Sequence, residues 1–393
     1  MQLDAFDIAQ KQLARDRAAT GRYPGLLERK LARMTASPLA FLRGAAPLFY
    51  DLLEAYPQLE KGPPGAGWIA GDLHLENFGA FRPDADFDDG ESTAFDLNDF
   101  DDCTIGPQRY DVLRLSTSLL LAARELGCDG PRALSLCEGM LTAYAKHARA
   151  NVAMPSPPPS IAALVKTASN RTGEALLQAR TSVAKGERRF VRGERYLELD
   201  ADVRRAVPKA FEDYVRSLGK SVRPKSSHCA VVDAAFRVAG TGSLGALRVA
   251  VLVSGKGCNW VFDMKEEREP SSSRLVAPPL LDGAKRVLAG LRACLSSPPR
   301  LAGTSLLLGA PMVVRRLAPQ EDKLDLSMVA PAELPALARY LGALVGRAHK
   351  RGTTTASKRA WKQDELERIV DQAVRLAGIH EGAYLALCRA IRR

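Results

Sequence analysis

Apolar positions recur at helical spacing in V-L-R-L-S-T-S-L-L-L-A-A from Val112 and in L-C-E-G-M-L-T-A-Y from Leu136, so the chain is expected to be mainly helical from Gly106 to His147. Residues 3–20 share that period. Ser37-Pro38 has the form of an N-cap followed by proline at the first helical position, and opens a helix expected to reach about Ala55. Further helices are predicted near Lys209–Leu218, from Leu334 to about Lys350, and from about Asp364 to the end. The pattern changes elsewhere. Trp68 to Ala70, Phe78 to Phe81 and Thr93 to Asn98 have strand character, and so do the β-branched runs beginning at Val231 and Ala246, the alternating run after Asn259, and P-M-V-V-R-R-L-A from Pro311. The stretch from Arg188 to Leu199 offers a hairpin. The proline-rich segment Met154–Ser160 removes donors and fixes the backbone extended, which makes it the best internal boundary. This mixture predicts an α+β fold.

Composition narrows the class. The chain has 393 residues, 46% of them hydrophobic and 26% charged, as in a globular protein with a substantial core. No run approaches the length of a membrane span, and the N-terminus lacks an apolar signal core, so a cytoplasmic location with no membrane partner is the default expectation. Seven cysteines lack any C-x-x-C pair, which indicates neither a disulfide framework nor a zinc site. A net charge of +11 favours anionic ligands, but the basic residues are dispersed and aromatics make up only 6%, so a dedicated nucleic-acid surface is not indicated.

The densest candidate chemistry lies between Gly71 and Asp102: G-D-L-H-L-E-N-F-G, a polar tip, then F-D-L-N-D-F-D-D. If the flanking strands form a hairpin that pairs Phe78 with Asn98, Asn77 falls opposite Asp99, roughly 5 Å away. An amide oxygen and a carboxylate at that separation suit Mg²⁺, a hard cation that takes oxygen ligands. Asp72 sits five positions before Asn77, on the loop. D-x-x-x-x-N followed by a strand-borne Asp is the arrangement protein kinases use for phosphoryl transfer, where the first Asp receives the acceptor's proton and the other two hold metal. Asp101 is the second choice for the metal-binding carboxylate after Asp99.

These residues resemble a known family. G-D-L-H-L-E-N is similar to the catalytic loop of aminoglycoside and choline phosphotransferases, members of the kinase-like superfamily, and N-D-F-D is similar to their metal-binding segment. The resemblance implies Asp72 as base, with His74 beside it as an orienting candidate catalytic residue, Asn77 and Asp99 as metal ligands, and Asp111 as a buried structural carboxylate. Ala70 stands where the family often has a histidine. The block from Arg33 to Gly44, taken with the catalytic-loop stretch, also resembles a bacterial family of uncharacterised proteins assigned to that superfamily.

The second informative stretch is V-A-G-T-G-S-L-G-A-L-R-V-A-V-L-V. Gly240, Thr241, Gly242, Ser243 and Gly245 form a glycine loop between two strands, whereas a dinucleotide-binding loop would be followed by a helix. On the next strand Val261, Asp263 and Lys265 share a face, and kinases keep a phosphate-pairing lysine at that place. The following helix has no glutamate to pair with it; Glu266, Glu267 or Asp282 are the substitutes.

The catalytic loop therefore precedes the glycine loop, the reverse of the usual kinase order, and a circularly permuted, two-lobed protein-kinase-like fold reconciles the two. The expected division is an N-terminal helical extension (1–59), a helical-lobe part carrying the catalytic loop and hairpin (60–150), a proline-rich and basic mixed segment (151–224), a sheet lobe with the glycine loop and Lys265 (225–320), and the remaining helical lobe (321–393). The expected activity is ATP- and Mg²⁺-dependent phosphorylation of a hydroxyl, on a small molecule ahead of a protein. AMP transfer on the same fold and a non-catalytic nucleotide-binding regulator are the alternatives.

Overall fold

A computed structural model describes residues 4–23, 25–83, 93–223, 229–255, 258–277, 281, 283–355 and 360–392. Asp282 and most of the polar tip between the first hairpin strands lie outside the described residues.

Four helices open the chain: α1 (Ala5–Thr20), α2 (Gly25–Met34), α3 (Pro38–Gly44) and α4 (Ala46–Ala55). Ser37 Oγ accepts the Ala40 N–H at 3.1 Å and Pro38 occupies the first turn, so the predicted start is found. The predicted single helix to Ala55 is broken at Ala45. Pro47 explains the break, because it lacks the N–H an uninterrupted helix would need there. Phe41 and Phe49 from these helices are wholly buried in the main core.

A short helix, α5 (Pro57–Glu60), leads into strands β1 (Ala66–Ile69), β2 (Phe78–Phe81), β3 (Ala94–Leu97) and β4 (Thr104–Pro107). The helices α6 (Arg109–Glu125) and α7 (Gly130–Arg149) follow, separated at Gly127, whose φ of 71° favours glycine. Then come α8 (Pro159–Ser169), α9 (Gly173–Arg180), β5 (Thr181–Ala184), β6 (Glu187–Phe190), β7 (Tyr196–Leu197) and α10 (Ala201–Ser217). The long strands are β8 (Ala230–Arg237), β9 (Arg248–Gly255) and β10 (Cys258–Glu266), followed by α11 (Gly283–Cys294), β11 (Gly303–Leu307), β12 (Ala310–Arg316) and β13 (Asp322–Lys323). The chain ends with α12 (Leu334–Gly352), β14 (Thr353–Thr355) and α13 (Gln363–Ile391).

The largest sheet is antiparallel, in the order β11-β12-β10-β9-β8-β7. Alternation along β10 turns Phe262 and Met264 toward Phe211 and Tyr214 of α10, with Phe262 and Phe211 ring centroids 5.0 Å apart. The opposite face carries Val261 under Leu177, Phe190, Tyr196 and Leu317. A separate, larger core joins the N-terminal helices to α6, α7, α12 and α13. Among the described residues no helix is long and apolar enough to cross a membrane.

Two local expectations are corrected. The hairpin pairs Phe78 with Leu97, one position from the predicted partner Asn98, so Asn98 donates to the Asn77 carbonyl (2.9 Å) and Asp99 is not directly opposite Asn77. The stretch from Arg188 to Leu199 does not pair with itself: β6 pairs with β5, while β7 extends the large sheet beside β8, where Tyr196 is buried.

Candidate functional site

The loop after β1 is fixed from below. Asp111, near the start of α6 and 1% exposed, accepts the N–H groups of Ala70 (2.6 Å) and Gly71 (2.8 Å). His349 Nε2, from α12, lies 3.1 Å from the same carboxylate, and Tyr144 bonds its other ring nitrogen. Gly71 has a φ of 80°, and a Cβ there would lie 2.1 Å from the Asp102 carbonyl oxygen, so only glycine lets the two loops meet. Within the loop, Asn77 Oδ1 accepts the His74 N–H (2.7 Å) and His74 Nδ1 accepts the Glu76 N–H (3.2 Å). Burial, with Arg43 and Arg114 nearby, pushes the His74 imidazole well below its ordinary pKa and keeps it neutral, so it orients the loop.

Asp72 rises from this loop and is partly exposed. Its Oδ1 accepts Nε of Arg114 at 2.8 Å and a second guanidinium N–H; Arg114 is fully buried and stacks over Phe49. Burial pushes the Asp72 carboxyl up to about 7, Arg114 opposes the rise, and the nearby Asp102 and Asp99 add to it.

The segment after β3 is tied to the large sheet and to α11. Asp101 pairs with Lys265 on β10. Asp102 accepts the N–H (2.8 Å) and hydroxyl (3.0 Å) of Ser271. Arg286 of α11, 2% exposed, donates to the carbonyls of Asp101, Cys103 and Arg268. It is the buried charged residue on the helix where the sequence offers no glutamate, and it holds the acidic segment's backbone. Burial pushes the Asp99 carboxyl up, but the cations Lys265, Lys323 and Arg315 outweigh it and leave it below the usual range. Glu267 is buried and pushed up to about 7. Glu266, another suggested partner of Lys265, accepts the Leu247 N–H instead.

The glycine loop connects β8 to β9 and is held by the N-terminal helices. Lys30 donates to the Gly242 carbonyl (3.2 Å) and pairs with buried Asp16 (2.8 Å), while Arg33 donates to the Gly240 carbonyl. Gly240 and Gly245 have φ of 78° and 100°, and Gly245 packs directly on the Ala19 carbonyl.

Asp72, His74, Asn77, Asp99, Asp101, Gly240 to Ser243 and Lys265 all line one cleft, with about 280 Å³ of space. Gly245 stands behind the lining, against α1. Sequence reasoning missed the N-terminal wall, made by Gln12, Arg15, Asp16 and Lys30, and also missed Lys323 from β13. Arg43 of α3 lines the cleft and pairs with Glu76 at 2.7 Å. Among the described residues no three of His, Cys, Asp and Glu converge into a preformed metal site. The metal-ligand set expected here is one amide and two carboxylates, one of them engaged by Lys265.

Fold and site define an α+β protein with a polar, charge-lined cleft between a large antiparallel sheet and a helical body. The chain belongs to a bacterial family described as an uncharacterized protein conserved in bacteria (DUF2252), matched over residues 22–390. Neither the curated proteins nor the solved structures contain a match.

Proposed function

We propose that the protein is a Mg²⁺-dependent phosphotransferase that moves the terminal phosphoryl group of ATP to a hydroxyl of a small molecule, on a circularly permuted kinase-like fold. The observation that carries this reading is that Lys265 and the glycine loop share a cleft with Asp72, Asn77 and Asp99, although the two groups lie far apart in the chain. A glycine loop between the first two long strands, with a cleft-facing lysine on the third, is also what phosphoryl transfer in kinases requires.

Asp72 would orient the acceptor hydroxyl and take its proton as the oxygen attacks phosphorus. The bond from phosphorus to the bridging oxygen breaks, and the nucleoside diphosphate leaves with that electron pair. Asn77, Asp99 and Asp101 would hold Mg²⁺, which neutralises phosphate charge when bound. Lys265 and the glycine-loop amides would position the phosphates. The four N-terminal helices contribute to the wall of the cleft and favour a small acceptor over a protein segment.

The test is ATP turnover against an acceptor library with product masses recorded. A gain of about 80 Da marks phosphoryl transfer and about 329 Da marks AMP transfer. Asp72→Asn is expected to lower the rate roughly 10²- to 10⁴-fold while nucleotide still binds. Full activity in that variant refutes the assigned role.

A further inference from the structure

The cleft is lined by charged and small polar side chains, with Lys265, Lys323 and the glycine loop available to phosphates beside a larger set of carboxylates, and it offers no large apolar surface to a base. Among the described residues that line it, the apolar ones are only alanine, glycine and proline; no valine, leucine, isoleucine, methionine, phenylalanine, tyrosine or tryptophan is present, and the one aromatic ring, the His74 imidazole, is buried and held by the Glu76 N–H. A nucleobase gains affinity by stacking on such surfaces, at about 1–3 kcal/mol per base.

The sheet face beside Lys265 explains the lack. The register sets Arg248 opposite Lys265, Ala250 opposite Asp263 and Leu252 opposite Val261. Next along β10 from Lys265 on this face is an ion cluster, with Asp263 gripped by Arg248 (2.9 Å) and by Arg237 (2.9 Å) and its side chain 2% exposed. Beyond it the apolar patch of Ala250, Leu252 and Val261 is already covered by Leu177, Phe190 and Tyr196. An apolar recess between Phe81, Leu97 and Phe100 on one side and Leu291 and Leu295 on the other shares no lining residue with the cleft, although its Asn98 and Phe100 flank the cleft residue Asp99 in the chain.

We propose that the donor is selected by its phosphate chain and not by its base, so that any Mg²⁺-bound triphosphate, inorganic tripolyphosphate included, is a ligand of this site. The inference rests on the phosphotransferase reading and adds donor class to it. Calorimetry on the full chain with the Mg²⁺ complexes of ATP, GTP, CTP and inorganic tripolyphosphate tests it. All four Kd values are expected within about fivefold of one another, since stacking worth 1 kcal/mol or more would exceed that ratio. Lys265→Met is expected to weaken all four by a similar factor. ATP binding more than about fivefold tighter than tripolyphosphate overturns the inference and leaves the phosphotransferase reading standing. If none of the four binds, both are overturned.

Discussion

Lys265 on β10 forms its ion pair with Asp101, two residues beyond the Asp99 expected to hold metal, and not with any residue of α11. The pair bridges the sheet and the acidic segment, and Arg286 fixes the Asp101 backbone from the α11 side. A phosphate that reaches Lys265 must therefore displace a carboxylate.

Asp101→Asn is accordingly expected to tighten binding of metal-free triphosphate, measured in EDTA, by about fivefold or more. With Mg²⁺ present the same variant is expected to bind more weakly than wild type, since Asp101 is one of the proposed metal ligands. Asp102→Asn removes an equal charge from the same segment but leaves the Lys265 pair intact, and is the control. The gain from Asp101→Asn should vanish in a Lys265→Met background, which a double-mutant cycle reads directly. A gain that persists without Lys265 assigns the effect to net charge alone.

Asp111→Asn is expected to destabilise the protein by about 3 kcal/mol, seen as a lower midpoint in urea unfolding. The buried carboxylate accepts two backbone N–H groups and faces His349, and an amide turns one of its acceptors into a donor aimed at a donor. Because those N–H groups belong to Ala70 and Gly71, Asp72 loses its anchor too, and turnover falls along with stability. An unchanged midpoint shows that the amide finds other partners and that the loop is held elsewhere.

What the sequence revealed of this site was local. The interval from Asp72 to Asn77, the glycines at 240, 242 and 245, and the alternation that turns Lys265 away from Met264 are all short-range features. The long periodic helices α12 and α13 were equally legible, because amphipathic spacing alone sets them. Lys30, Asp16 and Arg286 were not, since a cation or acid on a helix face has the same pattern whether it meets water or another element. Arg114 had a weak signal: it follows Asp111 by three positions and shares its helix face, but its partner Asp72 is set by tertiary packing. The predicted hairpin register was off by one although alternation bears on it: directly paired residues share a face, so Phe78 belongs opposite apolar Leu97 and not opposite Asn98.

Substitutions in the glycine loop are expected to separate folding from binding. Gly245→Ala places a Cβ 2.2 Å from the Ala19 carbonyl oxygen at a φ of 100°, so α1 must shift or the loop must distort. A loss of about 1–3 kcal/mol in stability follows, measurable by thermal or chemical unfolding without any ligand. Gly242→Ala meets only the Arg43 carbonyl oxygen, at 3.2 Å, and leaves φ outside the left-handed region. That variant should keep near wild-type stability and bind triphosphate less tightly. Equal destabilisation by both would show that the N-terminal helices do not seat specifically on Gly245.

The Lys30–Asp16 pair gives a complementary prediction. Both side chains are almost fully buried, and Gln12 adds a hydrogen bond to Asp16 at 3.0 Å. Lys30→Met leaves a buried carboxylate without its cation and is expected to cost about 3–5 kcal/mol. Lys30→Met with Asp16→Leu removes both charges, so it should recover much of that stability while still lacking the bond to the Gly242 carbonyl. Triphosphate affinity is therefore expected to stay low in the recovered double variant, which separates holding the glycine loop from merely filling space.

The pH dependence follows from Asp72. Burial raises its carboxyl to about 7 against a value of about 3.9 in an unfolded chain, so between about pH 4 and pH 7 the folded protein keeps a proton that the unfolded chain has lost. The sign is then fixed: this group favours the folded state below about pH 4, and its contribution is lost progressively as pH rises to about 7. Asp72→Asn cannot ionise, so its melting temperature relative to wild type should climb across that window and level off above it, whatever constant cost comes from altering the Arg114 contact. As a general base Asp72 must be ionised, and turnover should fall roughly tenfold per pH unit on the acid side of its pKa. If Mg²⁺ binds beside Asp99 as proposed, that limb is expected to move downward, because a nearby cation favours the carboxylate. A relative melting temperature that stays flat from pH 4 to pH 8 would show that Asp72 is ionised throughout, with Arg114 outweighing burial, and the acid limb of turnover would then belong to another group.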